Sequence, residues 1–249
     1  MPSVSFSVVP LYLEVEWMHG FLFYNKWGWD KYILKKHPAL KDAYIYKKKK
    51  DQIIFIQNYI LNYRKANKLH IQNRISLYKK LWRKKETAYF KLLCEILETD
   101  WSKQHKTIKA FISINPICPR FLDLWSFFLF FNYIKPSSSI ETIMHETCHF
   151  LYFKKWKEVF KHSKKNTFES PYIEWHLSEL VAPIILNDPK IQTLLKGKAS
   201  FYAEHEVIKI KGMTAPAYFT KLYQKRKSFD SFLISSYREI RKYKKYFPV

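Results

Sequence analysis

One run of residues, Ile143 to Tyr152 (IMHETCHFLY), constrains the fold of this chain more than any other. Placed on a helix, Ile143, Met144, Cys148, Phe150, Leu151 and Tyr152 cover nearly the whole circumference with apolar side chains. A helix of that kind is buried. Yet it also carries His145, Glu146 and His149, and buried imidazoles and carboxylates are costly without partners. Any fold must therefore deliver partners to this helix. Residues four apart lie on one helical face, so His145 and His149 point the same way, close enough to share one cation. Glu146 lies one step round. Upstream, Pro136-Ser137-Ser138-Ser139 reads as a loop, with Ser138 as N-cap and Glu141 at the third helical position forming a capping box.

A second buried helix follows after a polar loop over residues 163–170. Ser170-Pro171 supplies a helix start, and the helix is predicted from Tyr172 to about Leu186, stopping near Asn187-Asp188-Pro189. Ile173, Leu177, Leu180, Val181, Ile184 and Ile185 bury it, and its formal charges are Glu174 and Glu179. A mid-helix carboxylate among apolar neighbours is costly unless it binds a cation. Glu174, in the first turn, can instead be solvated where the helix dipole favours it. Glu179 is thus the favoured third ligand, Glu174 the alternative, and Glu169, ahead of the helix, the remaining candidate. His176 shares a face with Glu179 and is a candidate catalytic residue, to orient a ligand or donate to an oxyanion. A satisfied core histidine is the competing reading. Tyr172, Tyr202 and His205 are weaker candidates for an oxyanion donor.

His145-Glu146-Thr147-Cys148-His149 follows the H-E-x-x-H pattern, and through it the chain resembles zinc metallopeptidases. Tyr152 and Lys155 stand where the extended metzincin pattern requires Gly and a third His, which excludes that branch. A Glu-bearing helix after the motif is similar to the gluzincin arrangement, over roughly residues 108 to 188. The resemblance implies one Zn2+ held by His145, His149 and Glu179, with Glu146 as general base for water attack on a peptide bond. The substrate would be a peptide or protein. It also implies a strand before the metal helix, Phe111 to Asn115, lying at a cleft edge and pairing with substrate backbone. Ser113 and Asn115 are then substrate-binding residues, with an ordinary sheet strand as the equal alternative.

The formal charge is +23, from 44 Lys+Arg against 21 Asp+Glu. Such a balance suits nucleic acid, but a chain rich in Lys, Ile, Tyr, Asn and Phe acquires it by composition as well. A basic nucleic-acid-binding protein with a coincidental or degenerate motif is therefore the alternative to the enzyme, alongside an inactive metallopeptidase-like scaffold. Lys47 to Lys50 and Arg83 to Lys85 are read first as solvated helix faces. The 4 glycines disfavour phosphate loops. Cys94, Cys118 and Cys148 form no C-x-x-C pair, which predicts a reducing, cytoplasmic setting without a disulfide framework. Met1 to Trp17 lacks the features of a signal peptide, and Phe121 to Ile134 is too short, and holds Asp123, so no membrane span is expected.

For the rest, residues 3 to 17 alternate in part and predict short strands around Pro10, with Trp27 to Asp30 as a turn. Pro38 to Asp100 keeps helical spacing, Lys106 to Asn115 reads as a strand, and Val207 to Lys211 as a short strand closed by Gly212. Helices are predicted from Thr214-Ala215 to Lys225 and from Ser228 onward, with a frayed tail after Lys242. The expected fold is α+β and predominantly helical. It has a small sheet with an edge strand beside the metal helix, and an antiparallel Glu-bearing helix. Residues 1–249 are expected as a single compact domain, subdivided into a mainly helical part, 1–105, and a metallopeptidase-like part, 106–249.

Overall fold

Where apolar residues recur every third or fourth position the chain is helical, and where aromatic and β-branched residues run together it is extended. The computed structural model describes residues 1–24, 28–101, 106–195 and 197–247. It has the expected class, predominantly helical α+β with a small mixed sheet. The chain forms two units, each assembled from separate stretches: residues 2–84 with 107–143, and residues 85–106 with 144–249.

The first unit holds the larger sheet. Strand β1 (Ser3–Val8) precedes helices α1 (Leu11–Phe23) and α2 (Trp29–Lys36), a 3-10 segment (Pro38–Ile45), α3 (Lys49–Ala66) and α4 (Lys68–Arg83). Strands β2 (Thr107–Ser113), β3 (Arg120–Phe121) and β4 (Ser126–Phe130) follow. Their order is β1-β2-β4-β3, with β2 parallel to both neighbours and β3 antiparallel on the outside. Phe6 lies opposite Ala110, and Phe111 opposite Phe128. Every residue of β4 (SFFLF) is buried, as parallel strands covered on both faces require.

Two expectations are corrected in this unit. Residues 11–17 are helical, not extended. Pro10 caps α1, and the buried positions Leu13, Glu14, Val15, Met18, His19, Phe21 and Leu22 trace a helical stripe. The alternation of Tyr12, Glu14 and Glu16 is a short coincidence inside that pattern. The strand bearing Ser113 is also interior rather than an edge. Its backbone is engaged on both sides, with the Val9 amide donating to Ile112 O at 3.0 Å and the Phe131 amide to Ser113 O at 2.9 Å. It cannot add a substrate strand, so Ser113 and Asn115 lose the role assigned to them; both side chains are buried. Ser113 Oγ instead donates to Glu14 Oε1 at 2.5 Å, and the Asn115 amide donates to Ser113 Oγ at 2.9 Å.

Glu14 is the polar centre of this unit. Its side chain is 0% exposed and accepts from Arg64 Nε at 2.9 Å, Arg64 Nη2 at 2.5 Å and the Ile114 amide at 2.7 Å as well. A buried carboxylate persists only with such saturation. Nearby in sequence, Gly28 takes φ +67 as it caps α2; Trp27, the first residue of the turn expected there, lies outside the described residues.

The second unit carries α5 (Glu86–Leu97), the part of α6 (Pro136–Val159) from Met144 onward, α7 (Ile173–Leu186), α8 (Pro189–Leu195) and α9 (Ala203–Val207). A hairpin of β5 (Lys209–Ile210) and β6 (Met213–Thr214) leads to α10 (Ala215–Gln224) and α11 (Phe229–Lys242). The hairpin turns on Lys211 (φ 49) and Gly212 (φ 82), the two positive values a two-residue type I′ turn needs. Thr214 caps α10 and Ser228 caps α11, the latter in a capping box with Ser231. Helix α6 begins at Pro136 rather than after a Ser138 cap, because proline at the first position needs no amide partner. The buried part of α6 continues past Lys154: Lys155 is itself buried, donating to Glu98 O at 3.0 Å and pairing with Asp230 at 2.5 Å. The tail is likewise ordered further than expected, since Phe247 is only 3% exposed. Among the described residues no helix is long and apolar enough to cross a membrane.

Arg64→Met is expected to lower the unfolding free energy by about 3 kcal/mol, because it strands the Glu14 carboxylate. Urea titration of Arg64→Met, Glu14→Leu and the double variant checks this: the double variant should lose less than the sum of the two single losses.

Candidate metal centre

Helices α6 and α7 supply the site, through the largely apolar middle of α6 and through α7, which is buried along nearly its whole length. All twelve residues from Trp175 to Leu186, together with Ile173, are buried in α7. In α6 the ring of Met144, Cys148, Phe150, Leu151 and Tyr152 is buried, and Tyr89 Oη donates to Met144 O at 2.5 Å. Within this apolar packing His145 and His149 of α6 and Glu179 of α7 face one another.

His145 and His149 project from successive turns of α6, with ring centroids 4.7 Å apart. Their Nε2 atoms are 3.0 Å apart. Glu179, from α7, reaches both: Oε2 is 3.1 Å from His145 Nε2, and Oε1 is 3.4 Å from His149 Nε2. Side-chain exposure is 20% for His145, 0% for His149 and 2% for Glu179, so solvent reaches the cluster at the His145 side. Among the described residues no other group of three or more His, Cys, Asp or Glu side chains converges in this way.

The donor set fits a cation. Bonds of about 2.0–2.2 Å to nitrogen and oxygen in a tetrahedral shell place neighbouring donors about 3.3 Å apart, and the three separations here are 3.0, 3.1 and 3.4 Å. Two Nε2 lone pairs turned toward each other repel unless a proton or a metal lies between them. A buried carboxylate needs a compensating positive charge. One metal ion meets all of these demands, and three protein donors leave a fourth position open, as in catalytic rather than structural zinc sites.

The surrounding residues sort clearly. Glu146 neighbours His145 on α6 and is 8% exposed. Cys148 is fully buried, and burial, reinforced by the Glu179 and Glu146 carboxylates, raises its pKa far enough to keep it a thiol. Glu174 accepts a hydrogen bond from Tyr237 Oη at 2.7 Å and is not in the cluster. Glu169 is exposed ahead of α7 and also stands outside it. His176, one turn before Glu179, is completely buried, with Nδ1 3.0 Å from His205 Nε2. Phe247 packs on both rings, at 5.1 Å from His176 and 5.8 Å from His205. Burial, then the His176 neighbour, lowers the His205 pKa to about 4, partly offset by Glu179. His205 is therefore neutral near pH 7. Tyr172 and Tyr202 are exposed and precede α7 and α9, Tyr202 lying 5.7 Å from the His205 ring.

Sequence reasoning missed Tyr237 as the partner of Glu174 and Phe247 as the cover of the histidine pair. The one available signal was the apolar face of the last helix, which shows that it packs but not against what.

Titration calorimetry with Zn2+ is expected to give one ion per chain. Affinity should fall at least about 100-fold in His149→Ala and Glu179→Ala, and less than about threefold in Glu174→Ala. Comparison with known proteins returns no matching family model, no matching curated protein and no matching solved structure; the chemistry of the site rests on its own atoms.

Proposed function

We propose that this protein is a zinc-dependent metallopeptidase of gluzincin type, hydrolysing peptide bonds in a peptide or protein substrate. The observation that carries the reading is the convergence of His145, His149 and Glu179, with Glu146 adjacent to the first of them on the same helix. Two imidazoles and a carboxylate suit zinc among the abundant divalent ions. When bound, zinc supplies Lewis acidity, polarising a carbonyl and making water acidic near neutral pH.

The chain's own residues do the rest. His145, His149 and Glu179 bind the ion and fix its place. Glu146, which is not a ligand, holds the proton released as water adds to the peptide carbonyl carbon, and passes it to the amine nitrogen as the C–N bond breaks. Glu146 is itself nearly buried, 8% exposed, while the cluster opens to solvent beside it at His145. His176 positions rather than reacts: buried and held by His205 and Phe247, it stiffens α7 one turn before Glu179. Cys148, kept as a buried thiol, is no rival nucleophile.

Glu146→Gln is expected to retain one equivalent of zinc while hydrolysis of fluorogenic peptides drops at least about 100-fold. Zinc content and turnover are measured on the same preparation, and undiminished turnover with bound zinc removes Glu146 from the mechanism.

A further inference from the structure

Helices α3 and α4 carry a charge distribution that the overall composition does not explain. Residues 47–84 contain 12 Lys+Arg (Lys47, Lys48, Lys49, Lys50, Arg64, Lys65, Lys68, Arg74, Lys79, Lys80, Arg83, Lys84) and a single acid, Asp51. The rest of the chain has 44 − 12 = 32 Lys+Arg against 21 − 1 = 20 Asp+Glu. A genome-wide bias toward lysine would spread evenly; this excess is local. Arg64 alone of the twelve is committed to the interior, paired with Glu14. The lysines at 47–50, 65, 68, 79, 80 and 84, and Arg83, are all exposed.

The bases lie along two consecutive helices. The two helices are separated by Asn67, whose amide donates to Tyr63 O at 3.0 Å and whose carbonyl accepts from the Ile71 amide at 2.9 Å, so the hydrogen-bond ladder passes through the break. Lys49 to Arg83 is about 50 Å of helical contour. The bases fall into clusters at 47–50, 64–68 and 79–84, about 25 Å apart along it. Ile56, Ile60, Ile71, Tyr78 and Trp82 bury the opposite face in the unit's core.

We propose that this face binds duplex nucleic acid through its phosphate backbone, without sequence readout. A duplex presents one negative charge per about 1.7 Å of axis, so its phosphates are spaced closely enough to pair with successive clusters, and the exposed amides of Gln57, Asn58, Asn62, Gln72 and Asn73 can donate to the same oxygens. Single strands are bound on aromatic platforms, and no Phe, Tyr or Trp of α3 or α4 is exposed. An anionic membrane would need a continuous apolar face to insert. The exposed large apolar residues here are only Ile54, Leu61 and Leu69, set among amides, and the apolar face proper is already packed.

The test uses the whole protein and a labelled 24-base-pair DNA duplex, with RNA duplex of the same length, read by fluorescence anisotropy from about 50 to 200 mM salt. The expected result is binding that weakens by about 0.9 in log K per log salt for each phosphate engaged. The variant K79Q/K80Q/R83Q/K84Q should bind at least about tenfold more weakly with a shallower salt slope. The control K225Q/K227Q/K244Q/K245Q removes the same charge elsewhere and should bind as the parent does; melting temperatures check that both variants remain folded. Equal loss in the two variants overturns the proposal in favour of net charge. No duplex binding, tighter binding to a single strand of equal length, or preference for phosphatidylserine vesicles over duplex also overturns it.

Discussion

A carboxylate buried between two imidazoles is the constraint on which the second unit turns. Glu179 is 2% exposed on a helix buried along nearly its whole length, and the cost of burying it is too large to be met by packing. Its two oxygens are divided between His145 and His149, which makes the alignment of α6 and α7 a consequence of charge as much as of apolar contact. Were Glu179 one position away, the carboxylate would leave that face and the two helices would have only non-directional contacts to set their register.

The same chain solves the same problem twice, in opposite ways. Glu14 in the first unit is as deeply buried as Glu179, but it is saturated by the Arg64 guanidinium, the Ser113 hydroxyl and the Ile114 amide. Nothing mobile is needed, and the arrangement is structural. Around Glu179 the neighbours are basic nitrogens without a fixed charge, and the cluster opens to solvent at His145. One carboxylate closes a core; the other belongs to a donor group that could hold a metal ion. Burial is the same for both acids, and the identity of their partners is what differs.

This distinction shows what could be read from the sequence. The apolar circumference of α6 and α7 announced burial, and burial ranked Glu179 above Glu174 before any fold was in view; the first-turn position left Glu174 another outlet, which turned out to be Tyr237. Amphipathic spacing carried α3, α4 and α5 for the same reason, since their periodicity is local. Helix α1 was misread because three residues alternate by accident and Pro10 reads equally as a strand breaker and a helix cap. The interior place of β2 was beyond reach: strand order depends on β1, a hundred residues earlier in the chain, closing against it, and no pattern within Phe111 to Asn115 encodes that.

The packing of Phe247 on the His176 and His205 rings has a consequence for how the centre comes into being. Translation delivers α6 and α7 well ahead of that phenylalanine. The nitrogen and oxygen donors that could hold a metal ion are therefore all present on the emerging polypeptide while the back of α7 is still bare, and the aromatic wall behind His176 is the last part of the surroundings to be made.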